Sequence, residues 1–523
     1  MSPILILLIG IAVVVVMILV LRANAFLALI GAALVVSMLA DGDWAVKGER
    51  VALALGTATG KIGIVIAMAA IIGICMMRSG AAEKIVIAFC RLLGEKRFPL
   101  ALCGSGFVLS IPVFYDTVFF LLIPLARSFY KRVRKNYILC IMAICAGAMI
   151  THTMVPPTPG PLAIASNMGI DIGQMMMLGL LVGALIVPFA LAGAYLIQWY
   201  MPNPKIHLPA SDLAEDTQDI TLEDEQKLAD REKQLPSLGW SMLPVLLPII
   251  LIALGSYVNM MYITNITMDD QAIILNEVGG IEAVVTKEKQ LEVTIESVEF
   301  QAIIKPENML KPQAIKQSAL PFWANIAITI GGKEIAMMLA AALSMLVYYR
   351  QKIATAEEMR KDIESALLDA GAIILITAAG GAFGSMLQLA GIGGSIEAMF
   401  QNESGISGLS VLIGAFCVAS VLKLSLGSST TAMLTASSIF GAMGLTTESL
   451  GFNLAYLGLT ISCGSLVTSW MNDSGFWLTS RMAGLSETDT LKSVTVLHIV
   501  VGCSGFAIIL ALSQLLPLTN FGS

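Results

Sequence analysis

The chain has 523 residues, of which 57% are hydrophobic and only 13% charged, with a formal net charge of −6 and a mean hydropathy of +0.83. That balance excludes an ordinary soluble domain and marks an integral membrane protein. The acidity excludes nucleic acid as a natural partner, and it is confined to residues 209–235, where nine acidic side chains face three basic ones.

Apolar runs of about 20 residues recur along the whole chain, the length at which a helix spans hydrocarbon, so the expected fold class is an all-α polytopic membrane protein. Residues 3–21 form the first run. An "ANA" at 23–25 has the look of a cleavage site, but no Lys or Arg precedes the run and a second starts at once at 24–40, so 3–21 is read as a span. A third span follows at 57–77.

The basic stretch 78–97 and "RSFYKRVRK" at 127–135 belong on the cytoplasmic side, as Lys and Arg in short loops do. Between them lies an apolar segment, 98–126, which therefore enters and returns on one side: a re-entrant hairpin turning at "SIPVFYDT", 110–117. The span 137–170 is interrupted by "THTMVPPTPGP", 151–161, in which four prolines remove backbone donors and forbid a continuous helix. Residues 175–200 close the first half, and 201–237 form an acidic cytoplasmic linker.

The second half begins with a span at 240–258. Residues 259–333 form an extracytoplasmic insert containing "QLEVTIESVEF", 290–300, whose alternation predicts a strand in a small β-rich element. Spans at 334–349 and 365–390 follow, then a second hairpin at 408–440 turning at "KLSLGSSTT", a span at 452–480 broken near "NDSG", and a last one at 491–516. The expected organisation is thus a first transmembrane repeat at 1–200, the linker 201–237, the first span of the second repeat within 238–258, the insert 259–333 and the rest of that repeat at 334–523.

Each half holds five spans and one hairpin, and an odd number of spans inverts one half relative to the other, as in many secondary transporters. A faint echo agrees. "GICMMRSGAAEKIVIAF" from Gly73 and "GSMLQLAGIGGSIEAMF" from Gly384 share two glycines and a closing Phe, at a separation of 311 residues. The same separation carries Pro112 to Lys423 and Gly160 to Met471.

Non-helical backbone at membrane depth survives where it lines a cavity, and broken half-helices offer free N–H groups to anions and carbonyls to cations. The expected site is therefore where two breaks and two hairpin tips meet. Asp116, His152 and Asp473 are the candidate proton-coupling residues, because an ionisable side chain in a span must line a cavity or pair. Lys423 is the candidate counter-charge for an anionic substrate. Thr151, Thr153, Thr158, Gly160, Ser428, Ser429, Thr430, Asn472 and Ser474 complete the substrate-binding set, with hydroxyl and amide groups suited to a polyol. The plainer alternatives are a helix cap for Asp116, a structural hydrogen bond for His152, an ion pair with Asp116 or Asp473 for Lys423 and simple kinks for the prolines. The eight cysteines lack CxxC spacing, so no metal or cofactor is expected.

In these residues the chain resembles the gluconate:proton symporter family of bacterial permeases, within the wider ion transporter superfamily. The resemblance rests on "IPVFYDTVFFLLIP" (111–124), "HTMVPPTPGPLA" (152–163), "KLSLGSSTTAMLTA" (423–436) and "NDSGFW" (472–477). It implies proton-driven import of gluconate or a related small hydroxy-carboxylate across the bacterial inner membrane, with glycerate-like acids or D-serine as the alternative cargo. The chain departs from the family pattern at Lys423, where Arg is usual, at Leu426, where Gln is usual, and at Thr158, often His. Lys for Arg exchanges a bidentate clamp for a point charge, which leaves small carboxylates as the substrate class.

Two other classes remain open at this stage. Tyr115–Asp116 matches half of an intramembrane aspartyl protease signature, but Met471–Asn472 precedes Asp473 where Gly-x-Gly is needed. A channel would also tolerate broken helices. No nucleotide-binding loop is present to power transport otherwise. A homodimer is the expected assembly, since paired-hairpin architectures often use a scaffold interface.

Overall fold

A computed structural model describes residues 2–133, 135–201, 234–263, 321–351, 355–391, 407–467, 469–471 and 473–519. Most of the acidic linker, the expected strand at 290–300 and Asn472 lie outside these residues. Every regular element among the described residues is helical.

The first half runs α1 (Pro3–Leu19), α2 (Ala25–Leu39), α3 (Lys47–Arg78), α4 (Ala81–Leu93), α5 (Phe98–Leu109), α6 (Tyr115–Val133), α7 (Tyr137–Met154), α8 (Pro159–Met168) and α9 (Ile172–Tyr200). The second runs α10 (Leu238–Ile263), α11 (Phe322–Gly331), α12 (Lys333–Arg350), α13 (Ala356–Leu389), α14 (Gly408–Leu426), α15 (Ser429–Ala442), α16 (Leu454–Gly464), α17 (Ser474–Ala483) and α18 (Val496–Leu515), with short turns between. Long aliphatic runs satisfy their own backbone as helix, the only open-ended element hydrocarbon tolerates. Polar caps set the ends: Ser2 with Pro3 starts α1, Asn24 starts α2, Asp171 starts α9, and Thr355 with Glu358 forms a capping box on α13.

Seven described helical segments are long and apolar enough to cross a bilayer, and the pair α11–α12, bent by 66°, adds an eighth if counted as one span. The C-terminal part of the expected insert 259–333 contains a helix. Phe322–Gly331 is uncharged and apolar, so it folds as a helix against α10 instead of belonging to a surface excursion. Likewise α10 continues to Ile263, α3 begins at Lys47 and α13 at Ala356, because helices outrun the purely apolar windows that announce them.

The two expected hairpins are helix–turn–helix pairs. α5 and α6 meet at a turn over 110–114, and α14 and α15 at Gly427–Ser428. The expected breaks are present too, between α7 and α8 and between α16 and α17. The first lies at the centre of the molecule, with 94% of the apolar window in Tyr137–Met168 buried. α5 docks on α7 at Gly147, where a Cβ would fall 2.0 Å from the carbonyl oxygen of Cys103, the close approach that small residues give membrane helices.

Candidate functional site

The C-terminal end of α14 fixes the first functional group. Gly427 adopts a left-handed backbone, φ 77°, which ends the helix and returns its N–H to the carbonyl of Lys423 at 2.9 Å. Lys423 curls back over this turn, fully buried, and donates from Nζ to the Gly427 carbonyl at 2.7 Å. Ser428 then caps α15 by accepting from the Thr431 N–H at 3.2 Å.

The second group comes from the break between α16 and α17. Asp473 is the N-cap of α17: Oδ1 accepts from the Gly475 N–H at 3.0 Å. Oδ2 accepts from Lys423 Nζ at 2.6 Å and from the Ser469 hydroxyl. The ammonium and carboxylate thus form a buried ion pair whose negative partner also sits at the positive end of a helix dipole. Trp470 donates from its indole nitrogen to the Leu424 carbonyl at 3.3 Å, so the break is tied to the end of α14 by backbone as well as charge.

The α5–α6 turn approaches from the other side. Tyr115 Oη lies 3.1 Å from the Thr479 hydroxyl of α17 and donates to Cys145 Sγ of α7 at 3.4 Å. Phe114 meets the edge of the His152 ring at a centroid distance of 6.4 Å. Asp116 stands in the first turn of α6, exposed. His152 Nδ1 is buried with no hydrogen-bond partner among the described residues, a rare condition that costs on the order of 1–3 kcal/mol.

The proline break is built differently. Thr153 donates to Met149 O at 2.8 Å, Thr158 to Val155 O at 2.7 Å and Thr151 to Gly147 O at 3.4 Å, so all three hydroxyls are already turned onto backbone carbonyls. Gly160 presses on α15, where a Cβ would lie 2.1 Å from Met433 Cε. Ser428 and Ser474 are exposed, and Ser429 and Thr430 half-buried, with no partner for the last two hydroxyls among the described residues.

The structure therefore brings Lys423, Asp473 and Ser428 together and places His152 beside the facing turn, with Asp116 exposed on that turn's helix. Asn472 lies outside the described residues. Several contributors were not anticipated. Ser469 sits four residues before Asp473, and its carbonyl accepts from Thr495 at 2.5 Å, at the end of a π-helical turn over Leu491–Thr495. His498 is buried in α18, bonded through Nδ1 to Val494 O at 2.8 Å. A histidine inside the apolar run 491–516 was the available signal.

A family model described as GntP family permease matches residues 2–281 and 302–516 of the chain. An uncharacterised permease of Haemophilus influenzae is 29% identical over 97% of this chain and 92% of its own length. A gluconate permease of Bacillus subtilis is 25% identical over 98% of this chain and 99% of its own. Among solved structures, MtrF of Neisseria gonorrhoeae, described with a class of antimetabolite efflux pumps, superposes with a TM-score of 0.52 at 14% identity, covering 92% of this chain and 94% of that one. That likeness concerns the fold alone.

Proposed function

The chain belongs to the GntP permease family, and from that premise we propose that it is a proton-coupled symporter importing gluconate or a closely related small hydroxy-carboxylate. Family membership makes it a multi-pass membrane transporter and not an enzyme, which removes the aspartyl protease alternative. The gluconate permease relatives support the substrate class.

The buried Lys423–Asp473 pair carries the reading. With Asp473 ionised, its carboxylate occupies the Lys423 ammonium. A proton on Asp473 removes that counter-ion and leaves the buried lysine in need of a new one, which the substrate carboxylate supplies. Proton and anion are then bound together or not at all, which is the condition for symport. The hydroxyls of Ser428, Ser429, Thr430 and Ser474, together with Asn472, meet the polyol. Asp116, His152 and Asp473 handle the proton.

We read the halves as inverted repeats. The order of long helix, helix–turn–helix pair, broken helix and closing helix recurs as α3, α5–α6, α7–α8, α9 and as α13, α14–α15, α16–α17, α18. The setting is the bacterial inner membrane. Purified protein in tight proteoliposomes is expected to accumulate labelled gluconate only when an inward proton gradient is imposed. Equal uptake with and without the gradient would rule out symport, and accumulation of glycerate or D-serine instead would reassign the cargo.

A further inference from the structure

A polar cavity of about 110 Å³ lies away from the ion pair, between α3, α8, α13 and α15. Measured in the same way, one water needs only ~10–15 Å³, so the space admits a small acid with its waters. Ser438, on its wall, is ten residues along α15 from Ser428, a separation of ~15 Å at the rise of a helix. The cavity is therefore a separate place in the fold.

Its chemistry has one sign. Lys61 lines it from the middle of the 32-residue helix α3, and no carboxylate lines it. The Lys61 ammonium has no ion pair or hydrogen bond among the described residues. The side chain is exposed and so open to a counter-ion that enters the cavity. Lys333 donates to the Lys61 carbonyl at 2.7 Å and is itself paired with Glu334 at 3.6 Å, so a second positive group borders this turn of α3.

The remaining walls are fixed by hydrogen bonds, and among the described residues Gln388 and Ser166 keep a donor. Asn167 donates from Nδ2 to Ser437 Oγ at 2.9 Å and Ser438 Oγ at 3.2 Å, while Ser438 donates to Gly380 O at 2.6 Å. Gln388 uses one amide hydrogen on Gly441 O at 3.1 Å and keeps the other. The Ser166 hydroxyl has no partner among the described residues. One unpaired ammonium flanked by neutral donors is a receptor for a carboxylate that also carries hydroxyls.

We propose that this cavity is a second binding site for a small hydroxy-carboxylate, with Lys61 as the group that holds its charge. The assignment of ligand rests on the reading of the chain as a carrier of such acids. The site holds an acid on its way to or from the Lys423–Asp473 pair without touching that pair.

The test is equilibrium binding of labelled gluconate to the purified full-length protein. Wild type is expected to bind two per chain, and Lys61→Met one, with Lys61→Arg restoring the second. In a Lys423→Met/Asp473→Asn background, which removes both buried charges together, one gluconate per chain should remain, and adding Lys61→Met should weaken that binding at least tenfold. The same stoichiometry with and without Lys61, in proteins that elute as single folded species, overturns the proposal. So does displacement of gluconate by an equal concentration of chloride, which would make the cavity a generic anion trap. Lys61-dependent binding in a chain that transports no acid would sink the symport reading and leave the cavity standing. Symport with only one, Lys61-independent, binding event would do the reverse.

Discussion

The two broken helices occupy corresponding places in the two halves and are made of different materials. Between α7 and α8, four prolines interrupt the ladder, three threonine hydroxyls fold back onto carbonyls, and Gly160 lets the chain lie against Met433. Between α16 and α17 no proline occurs. There Asp473 caps the second half-helix, Ser469 donates to it, and Lys423 closes the gap from α14. The first break is held open by covalent geometry and packing, so it survives any change of charge. The second is held by an ion pair, so a proton or an anion can alter it. On the proposed reading as a coupled transporter built from inverted repeats, the switch is confined to one of the two breaks.

The largest effect should come from unbalancing the second break. Lys423→Met leaves Asp473 buried without its cation and should cost about 3–5 kcal/mol, the usual penalty for halving a buried pair. Asp473→Asn strands the lysine in the same way, and is expected to abolish gradient-driven accumulation while sparing exchange. The double variant should regain most of the melting temperature and none of the concentrative uptake. If the double variant were no more stable than the singles, the pair would not be the element that holds this break.

The first break should respond to volume instead. Gly160→Val drives side-chain atoms into Met433 and should cost ~1–3 kcal/mol through overpacking. Because the obstacle is the far end of a flexible side chain, Met433→Ala in the same chain should recover most of that loss in melting temperature and in uptake. Stability recovered without uptake would give Gly160 a part in admitting substrate.

His152 divides the two descriptions, since it is the one ionisable group in the proline break. Its unpartnered Nδ1 and its edge contact with Phe114 make His152→Phe a near-isosteric change that removes an unsatisfied polar atom. The melting temperature should hold or rise slightly, and gradient-driven uptake should fall about tenfold, the worth of one hydrogen bond of ~1.4 kcal/mol formed during the cycle. Unchanged uptake would make the ring a packing element and the first break wholly structural.

Both breaks and both turns were legible in the sequence, because proline blocks and polar runs inside apolar segments have few uses in a membrane. Lys423 and Asp473 were legible as residues, since an ionisable side chain at that depth needs a partner. Their pairing was only one of several options, because distance across 50 residues of chain is not written in local pattern. Ser469 and Thr495 were missed for the same reason: hydroxyl residues are common in these spans, and only the tertiary fold shows which donate to the site. Lys61 was passed over because it stands near the start of the apolar span 57–77. The helix Phe322–Gly331 was hidden by its position next to a long polar excursion, although its own ten residues carry no charge.

A smaller test lies at the caps of the two half-helices that follow a break or turn. Thr158 precedes α8 without capping it, its hydroxyl being spent on Val155, whereas Ser428 caps α15 directly. Ser428→Ala should therefore cost about 1 kcal/mol in stability, as lost caps do, and Thr158→Ala should cost no cap at all. Ser428→Asp separates stability from transport: a carboxylate caps at least as well and suits the helix dipole, yet it places a negative charge one residue from Gly427, whose carbonyl holds Lys423. The expected result is a melting temperature at or above wild type with gluconate uptake lost to competition for that lysine. Retained uptake in Ser428→Asp would mean that the substrate carboxylate does not come near Lys423, and would move the anion's position away from the second break.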